Sequence, residues 1–343
     1  MTNHRFKLLI LLSFLASCGA PAPAPEGPAT KAPATSEAQA EAPKPEFSAW
    51  LAELRAKAKA EGIGEATLAA ALDKVQPIPR VVELDRAQPE FKLTFKKYME
   101  RVVPLARVEK GRKLLKTHGE LLQEVSRKYG VPARFVVALW GIETDFGRVS
   151  GGFPVIPALV TLAYEGRRAA FFKGELMDAL RILDQGHISP EAMSGSWAGA
   201  MGQVQFMPSS FLKFAVDEDG DGKRDIWGSV PDALGSAANY LSKSGWRDDI
   251  GWGRPVQLPG GFDTAALGLE TRKPLDEWAS LGVTNIEGQP LPKRNLTASI
   301  VQPEKDGSDR FLVYDNYRVI MKWNRSHFFA LAAGHLADRL GSP

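Results

Sequence analysis

Residues 19 to 46 are built almost wholly from Ala, Pro, Thr and Glu, with seven prolines and no large apolar side chain. Such a stretch has nothing to bury, and ordering it would cost more than its contacts return. It reads as a tether, and everything that folds must begin near Phe47. Extended as polyproline II at roughly 3.1 Å per residue, the tether would reach about 80–90 Å. Before it, His4, Arg5 and Lys7 form a charged start and Leu8 to Ala16 an apolar run. That run is too short to span a bilayer and has the size of an export-signal core.

The chain has a single cysteine, Cys18, which excludes an internal disulfide and a cysteine-based zinc site. Leu15-Ala16-Ser17-Cys18 resembles a bacterial lipobox, the signal in which the cysteine becomes the lipidated first residue of the mature chain. The alternative is an ordinary signal peptide cleaved near Ala20, with Cys18 incidental. The only cysteine lies where lipidation requires it, which favours the lipobox. Gly19 follows rather than Asp, and by resemblance to Gram-negative sorting rules this implies a periplasmic protein held at the outer membrane through Cys18.

Past the tether the chain has ordinary globular character, with 44% hydrophobic and 24% charged residues over its whole length. That supports one large domain or two smaller ones. The formal net charge of +3 comes with no dense basic patch, which argues against a nucleic-acid partner. Helical periodicity runs from Phe47 to Ala58, Glu65 to Val75, Phe91 to Val103 and Leu105 to Lys128, with 77–90 as a proline-bearing loop. Gly130 reads as a helix C-cap and Pro132 as the first turn of the next helix, which runs to about Thr144. Further helices are expected at 155–165, 168–185, 207–215 and 232–244. From Pro255 to Lys322 glycines, prolines and β-branched runs (298–301, 311–314, 317–321) predict a small strand-rich insertion. Asn324 to Leu340 predicts a closing helix. The fold class is therefore α+β and mainly helical.

On the helix after Pro132, Val136, Leu139, Trp140 and Glu143 fall at i, i+3, i+4 and i+7 and share one face. Burial beside Trp140 and Phe146, and the negative end of the helix dipole, would both favour a protonated Glu143. A protonated carboxyl near neutral pH is what general-acid cleavage of a glycosidic bond needs. A Glu that simply turns to solvent at a helix end is the alternative. Downstream, Gly199 and Gly202 would let the backbone approach a ligand closely, and Ser196 and Gln205 could hydrogen-bond a hydroxyl or acetamido group. Taken alone, that segment reads rather as a glycine-rich structural turn. Asp217-x-Asp219-x-Asp221-Gly222 matches the opening of an EF-hand loop, with Lys223 at its seventh position and Gly228 where the closing Glu would stand. The alternative there is an acidic surface turn. The five histidines show no metal spacing.

Together, Glu143-Thr144-Asp145-Phe146-Gly147 and Gly199-x-x-Gly202-x-x-Gln205-Phe206-Met207-Pro208 resemble the lytic murein transglycosylases, nearest to the membrane-bound B-type family. The resemblance extends from about Phe47 to Leu340. It implies a lysozyme-like core over 131–254, carrying the acidic loop 217–232. A helical region over 47–130 would precede the core, and a β-rich subdomain over 255–322 would follow it. Residues 323–343 would pack back as a C-terminal helix, and 1–18 and 19–46 remain signal and tether. It implies Glu143 as the acid/base. It also implies glycan or peptide contacts from Tyr98, Arg167, Arg168, Ser196, Gln205, Tyr240, Trp323, Asn324 and Phe329. Trp323 and Phe329 stand where the family can carry Tyr, so Phe329 lacks a hydroxyl there. Asp232 resembles the closing ligand of a lengthened loop in this family. The implied calcium site is then Asp217, Asp219, Asp221, Lys223 and Asp232, structural rather than catalytic, with no cofactor for the reaction itself.

The implied partner is the peptidoglycan glycan strand, with other cell-wall enzymes left open. Ordinary glycosidases use two carboxylates, and Asp145, two residues along, would point away from Glu143's face. A transglycosylase needs one. Glu143 protonates the oxygen between N-acetylmuramic acid and N-acetylglucosamine, then accepts the proton of the sugar's own 6-hydroxyl as a 1,6-anhydro ring closes. A goose-type lysozyme using water, or a non-catalytic peptidoglycan-binding lipoprotein, are the competing readings.

Overall fold

The computed structural model describes residues 46–87, 93–165 and 167–341. The expected run of helices opens it: α1 (Phe47–Ala60), α2 (Glu65–Leu72), α3 (Pro79–Arg86), α4 (Phe95–Val102), α5 (Leu105–Thr117), α6 (Gly119–Tyr129) and α7 (Ala133–Thr144). A two-residue strand, β1 (Phe153–Pro154), leads into α8 (Val155–Glu165) and α9 (Ala169–Asp184), and β2 (Ser194–Gly195) pairs back antiparallel to β1. Then come α10 (Pro208–Phe214) and α11 (Val230–Lys243). The C-terminal part runs β3 (Gly253–Gln257), β4 (Lys273–Pro274), α12 (Leu275–Ser280), β5 (Thr284–Asn285), β6 (Thr297–Val301), β7 (Phe311–Val313), α13 (Asp315–Trp323) and α14 (His327–Gly341).

α7 lies at the centre. It packs against α5, α6, α11 and α14, and every residue from Phe135 to Thr144 is buried. A helix that is apolar all round is a core helix rather than a surface one. The single face inferred from the sequence therefore understates its burial. The helices before α7 share its hydrophobic core: Leu54, Leu68, Val81 and Phe95 belong to the same buried cluster as Leu139 and Leu336.

The late strands form one antiparallel sheet in the order β4-β6-β7-β3-β5. This sheet has a core of its own, made by Val256, Leu275, Trp278, Ile300 and Leu312. Trp278 is fully buried there and donates to the Ala298 carbonyl at 3.0 Å. Trp252, Phe311 and Val313 belong instead to the main core and tie the sheet to it. Among the described residues no helix is long and apolar enough to cross a membrane.

Three local expectations are corrected. The loop expected at 77–90 contains α3: Pro79 in the first turn presets helical φ, and Val81 and Asp85 are buried. The single helix expected over 105–128 breaks at His118, whose φ of −105° and ψ of 28° end α5 and begin α6. The strand expected at Tyr317–Met321 is part of α13. Its buried Asn316, Tyr317, Val319 and Ile320 recur at helical spacing, and that burial overrides the local β propensity of the run.

Candidate active site

Glu143 sits one residue before the C-terminus of α7 and is 8% exposed. The helix then stops on two successive non-glycine residues in the left-handed region, Asp145 at φ 51° and Phe146 at φ 61°. Such backbone costs on the order of 1–3 kcal/mol per residue and needs support from its surroundings. The support is visible. Lys110 donates to the Asp145 carbonyl at 2.9 Å, Arg148 pairs with its carboxylate at 2.6 Å, and Arg107 lies 3.8 Å away. These cations hold the Asp145 carboxyl below its ordinary range, against the opposing effect of partial burial. Asp145 is thus a cap and an ion-pair partner. Phe146 folds back edge-on against Trp140 at 5.6 Å and 87°.

The same helix end is bolted to the glycine loop. The Thr144 hydroxyl donates to the Gln203 carbonyl at 2.6 Å and accepts from Gly147 N at 2.9 Å. Trp140 Nε1 donates to Gln203 Oε1 at 3.0 Å. Gln203 in turn donates from its side chain to the Trp227 carbonyl at 3.2 Å and from its backbone to the Ile226 carbonyl at 2.8 Å. Gly202 (φ 64°) must be glycine here, since a Cβ would stand 2.6 Å from the Ile226 carbonyl oxygen. Neither Thr144 nor Gln203 was singled out from the sequence. A polar residue inside an otherwise apolar helix was the only hint of Thr144, and its partner is remote in the chain.

A cleft opens over Glu143, lined also by Ser196, Gln205, Tyr240, Trp323 and Asn324. Trp323 Nε1 donates to Glu143 Oε1 at 2.8 Å across 180 residues of chain. The Tyr240 ring meets Trp323 edge-on at 4.8 Å, while its hydroxyl donates to the Lys322 carbonyl at 2.7 Å. Tyr240 therefore offers the cleft its ring and keeps its hydroxyl for the wall. Gln205 has a left-handed backbone (φ 52°), and its amide nitrogen donates to the Ser150 and Gly202 carbonyls, both at 2.9 Å. Ser196 Oγ accepts from Ala200 N at 3.0 Å. Asn324 is buried and accepts from Ser326 N at 3.1 Å.

The other expected contacts lie outside this lining. Tyr98 is buried against Phe328 at 5.4 Å, and its phenol pKa is pushed up by burial and then by the charge of Glu143. Arg167 donates to the Asp85 carbonyl at 2.9 Å, and the Arg168 guanidinium lies over Phe172 at 5.0 Å. Phe329 is 3% exposed and packs in the main core. Conversely, Phe171 and Glu175 of α9 line the cleft and were not anticipated. The available signal was a Glu between Phe172 and Leu176, both fully buried, on the apolar side of its helix.

In the acidic loop, carboxylate oxygens of Asp217, Asp219 and Asp221 all lie within 4.8 Å of one another. Asp217 accepts from Gly220 N at 2.7 Å, Gly222 N at 2.8 Å and Asp221 N at 3.1 Å. Lys223 N donates to Asp221 at 2.8 Å. Asp232 is not in this trio. It is fully buried and accepts from the backbone N–H of Asp225 at 2.6 Å, Glu218 at 2.7 Å and Asp219 at 3.3 Å. Burial pushes its carboxyl above the ordinary value in spite of those three donors. The geometry makes Asp232 the clasp that closes the loop. Cys18 lies outside the described residues.

Several known proteins resemble this chain in sequence or in fold. The membrane-bound lytic murein transglycosylase B of Escherichia coli is 32% identical over 245 residues, 71% of this chain and 66% of that protein, so the match spans just under two thirds of the relative. SltB3 from Pseudomonas aeruginosa, in complex with NAG-NAM-pentapeptide, superposes with a TM-score of 0.84 at 47% identity, covering 87% of this chain and 80% of that one. The Escherichia coli lytic transglycosylase Slt35 in complex with calcium superposes with a TM-score of 0.73 at 28% identity, covering 84% and 92% respectively. The profile of the transglycosylase SLT domain matches residues 46–338, nearly all of the described fold, and the chain belongs to that family.

Proposed function

We propose that this protein is a lytic transglycosylase of peptidoglycan. It cleaves the β-1,4 bond between N-acetylmuramic acid and N-acetylglucosamine and leaves 1,6-anhydro ends, with Glu143 as its acid and base. The observation that carries the assignment of Glu143 is its placement: a buried carboxylate that lines a cleft, fixed by an indole N–H at 2.8 Å. Glu143 gives its proton to the bridging oxygen. The Trp323 N–H then faces a carboxylate oxygen that has become anionic, where a charge-assisted bond is strongest. The acetamido group of the muramic ring stabilises the oxocarbenium-like centre. Glu143 next takes the proton of the 6-hydroxyl as that oxygen closes on the anomeric carbon, so no water is consumed. Mass spectrometry of digested sacculi tests the reading. Anhydro ends are expected, whereas reducing ends would make the enzyme a hydrolase and intact strands would make it a binding protein.

Two further features belong to this reading. Cys18 anchors the protein as a periplasmic lipoprotein, with the 19–46 tether carrying the catalytic fold to the wall. Support comes from the lipobox and from the membrane-bound Escherichia coli relative. Cys18→Ala should move the protein from the membrane to the soluble fraction without loss of specific activity. Unchanged partition would refute lipidation there.

The loop at Asp217, Asp219 and Asp221, with Lys223, holds calcium. Hard oxygen donors that repel one another suit that ion, and Gly220 and Gly222 (φ 77° and 88°) allow the sharp turn. Its role is to order the loop. Chelator should lower the melting temperature, and free calcium at about 100 times its dissociation constant should restore roughly 2.7 kcal/mol. Magnesium, which demands tighter octahedral geometry, should not. Asp219→Ala should remove the response. A melting curve indifferent to chelator would leave the loop a surface turn.

A further inference from the structure

α9 lends the cleft two side chains that this chemistry leaves unused. Phe171 and Glu175 stand four residues apart on α9, so they share one face, and both line the cleft that holds Glu143. Phe171 is among the few large apolar side chains left open in the described residues, at 41% exposure. Its ring is nonetheless braced. Phe172 meets it edge-on at 5.1 Å and 72°, and the Arg168 guanidinium lies 5.9 Å from its centre. An aromatic already held in position loses little freedom when a ligand arrives.

Glu175 is the opposite case, a carboxylate only 6% exposed. Its Oε2 accepts from Ser209 N at 2.9 Å and its Oε1 from the Ser209 hydroxyl at 2.8 Å. Each oxygen of an ionised carboxylate can accept two bonds, so one position on each remains after Ser209 is counted. Burial pushes this carboxyl above its ordinary value, a cost that another donor would offset. Anchoring α10 would need no contact with the cleft, yet Glu175 lines it together with Ser209 and Ser210.

An apolar plate beside a fixed acceptor matches the two sides of an N-acetylated sugar: a C–H face, and a rim of hydroxyl and amide donors. Resting on the transglycosylase reading of the cleft, we propose that Phe171 and Glu175 form a saccharide subsite beside Glu143. Phe171 stacks on the ring of an N-acetylhexosamine, and Glu175 accepts from its hydroxyl or amide N–H.

The test is calorimetric binding of a tetramer of N-acetylglucosamine to the full-length protein, alongside kinetics on sacculi. Phe171→Ala should weaken tetramer binding by about 3- to 10-fold, as loss of an aromatic contact does, and act on KM more than on kcat. Phe171→Trp should restore it. Glu175→Gln keeps an acceptor for Ser209 N and should weaken binding about 10-fold or more through loss of a charge-assisted bond, at an unchanged melting temperature. Variants that bind the tetramer and use sacculi as the parent does would overturn the subsite. So would Glu175→Gln that melts earlier but binds normally, since the group would then only support the wall. A parent protein that releases no anhydro products would overturn the transglycosylase reading instead, and tetramer binding would still report on the subsite.

Discussion

Glu143→Gln should leave the protein folded and able to bind glycan, yet slow release of fragments from sacculi by on the order of 100- to 10,000-fold. The substitution is nearly isosteric. The Gln amide oxygen can still accept from Trp323 Nε1, which reaches Glu143 at 2.8 Å, so the cleft wall keeps its shape. What disappears is the proton. An amide cannot protonate the leaving oxygen, and it cannot recover a proton from the 6-hydroxyl afterwards, so both halves of the reaction fail together. The melting temperature and tetramer affinity of the variant should match the parent's. Undiminished cleavage by the purified variant would remove Glu143 from the chemistry.

The largest effect on stability is expected at Asp232. Its two carboxylate oxygens satisfy three backbone N–H groups from both limbs of the acidic loop, at 2.6, 2.7 and 3.3 Å. Alanine would strand those donors in a site with no exposure of its own. At about 1–3 kcal/mol for each unsatisfied buried group, with partial relief by water, the loss should come to about 3–5 kcal/mol. With an unfolding entropy of about 2.1 cal/mol/K per residue over roughly 290 folded residues, that corresponds to a fall in melting temperature of about 5–8 °C. Asn, which keeps one acceptor oxygen, should lose less. The same measurement in chelator separates the clasp from a metal ligand. A clasp leaves the gap between parent and variant open without calcium, whereas a ligand's gap would close.

The features that could be read from the chain alone are those whose meaning is local. Pro132, the apolar run to Ile142 and Glu143 near its end describe α7 within one stretch. The spacing of Gly199, Gly202 and Gln205 likewise describes one loop. Juxtapositions at long range were not accessible. No pattern near Glu143 indicates that Trp323 donates to it, nor that Thr144 meets the Gln203 carbonyl. Side-chain identity was also an incomplete guide to which atom faces the cleft. Tyr240 presents its ring because Lys322 takes its hydroxyl, and Phe329 is buried in the core. The strand expected at Tyr317–Met321 failed for a related reason. β-branched residues favour strands only when a sheet is available to receive them, and here they face a helical core.

The long separation between Glu143 and Trp323 sets an order of events in the life of the molecule. α7 and the glycine loop are made first, but the indole that fixes the carboxylate emerges 180 residues later, and the helix that closes over α7 and α5 follows it. A chain threaded from its N-terminus therefore carries Glu143 for most of its synthesis in an incomplete pocket. Fragments ending before α13 should be inert whatever their local structure. On the proposed function, activity then appears only once the fold has been made through α13.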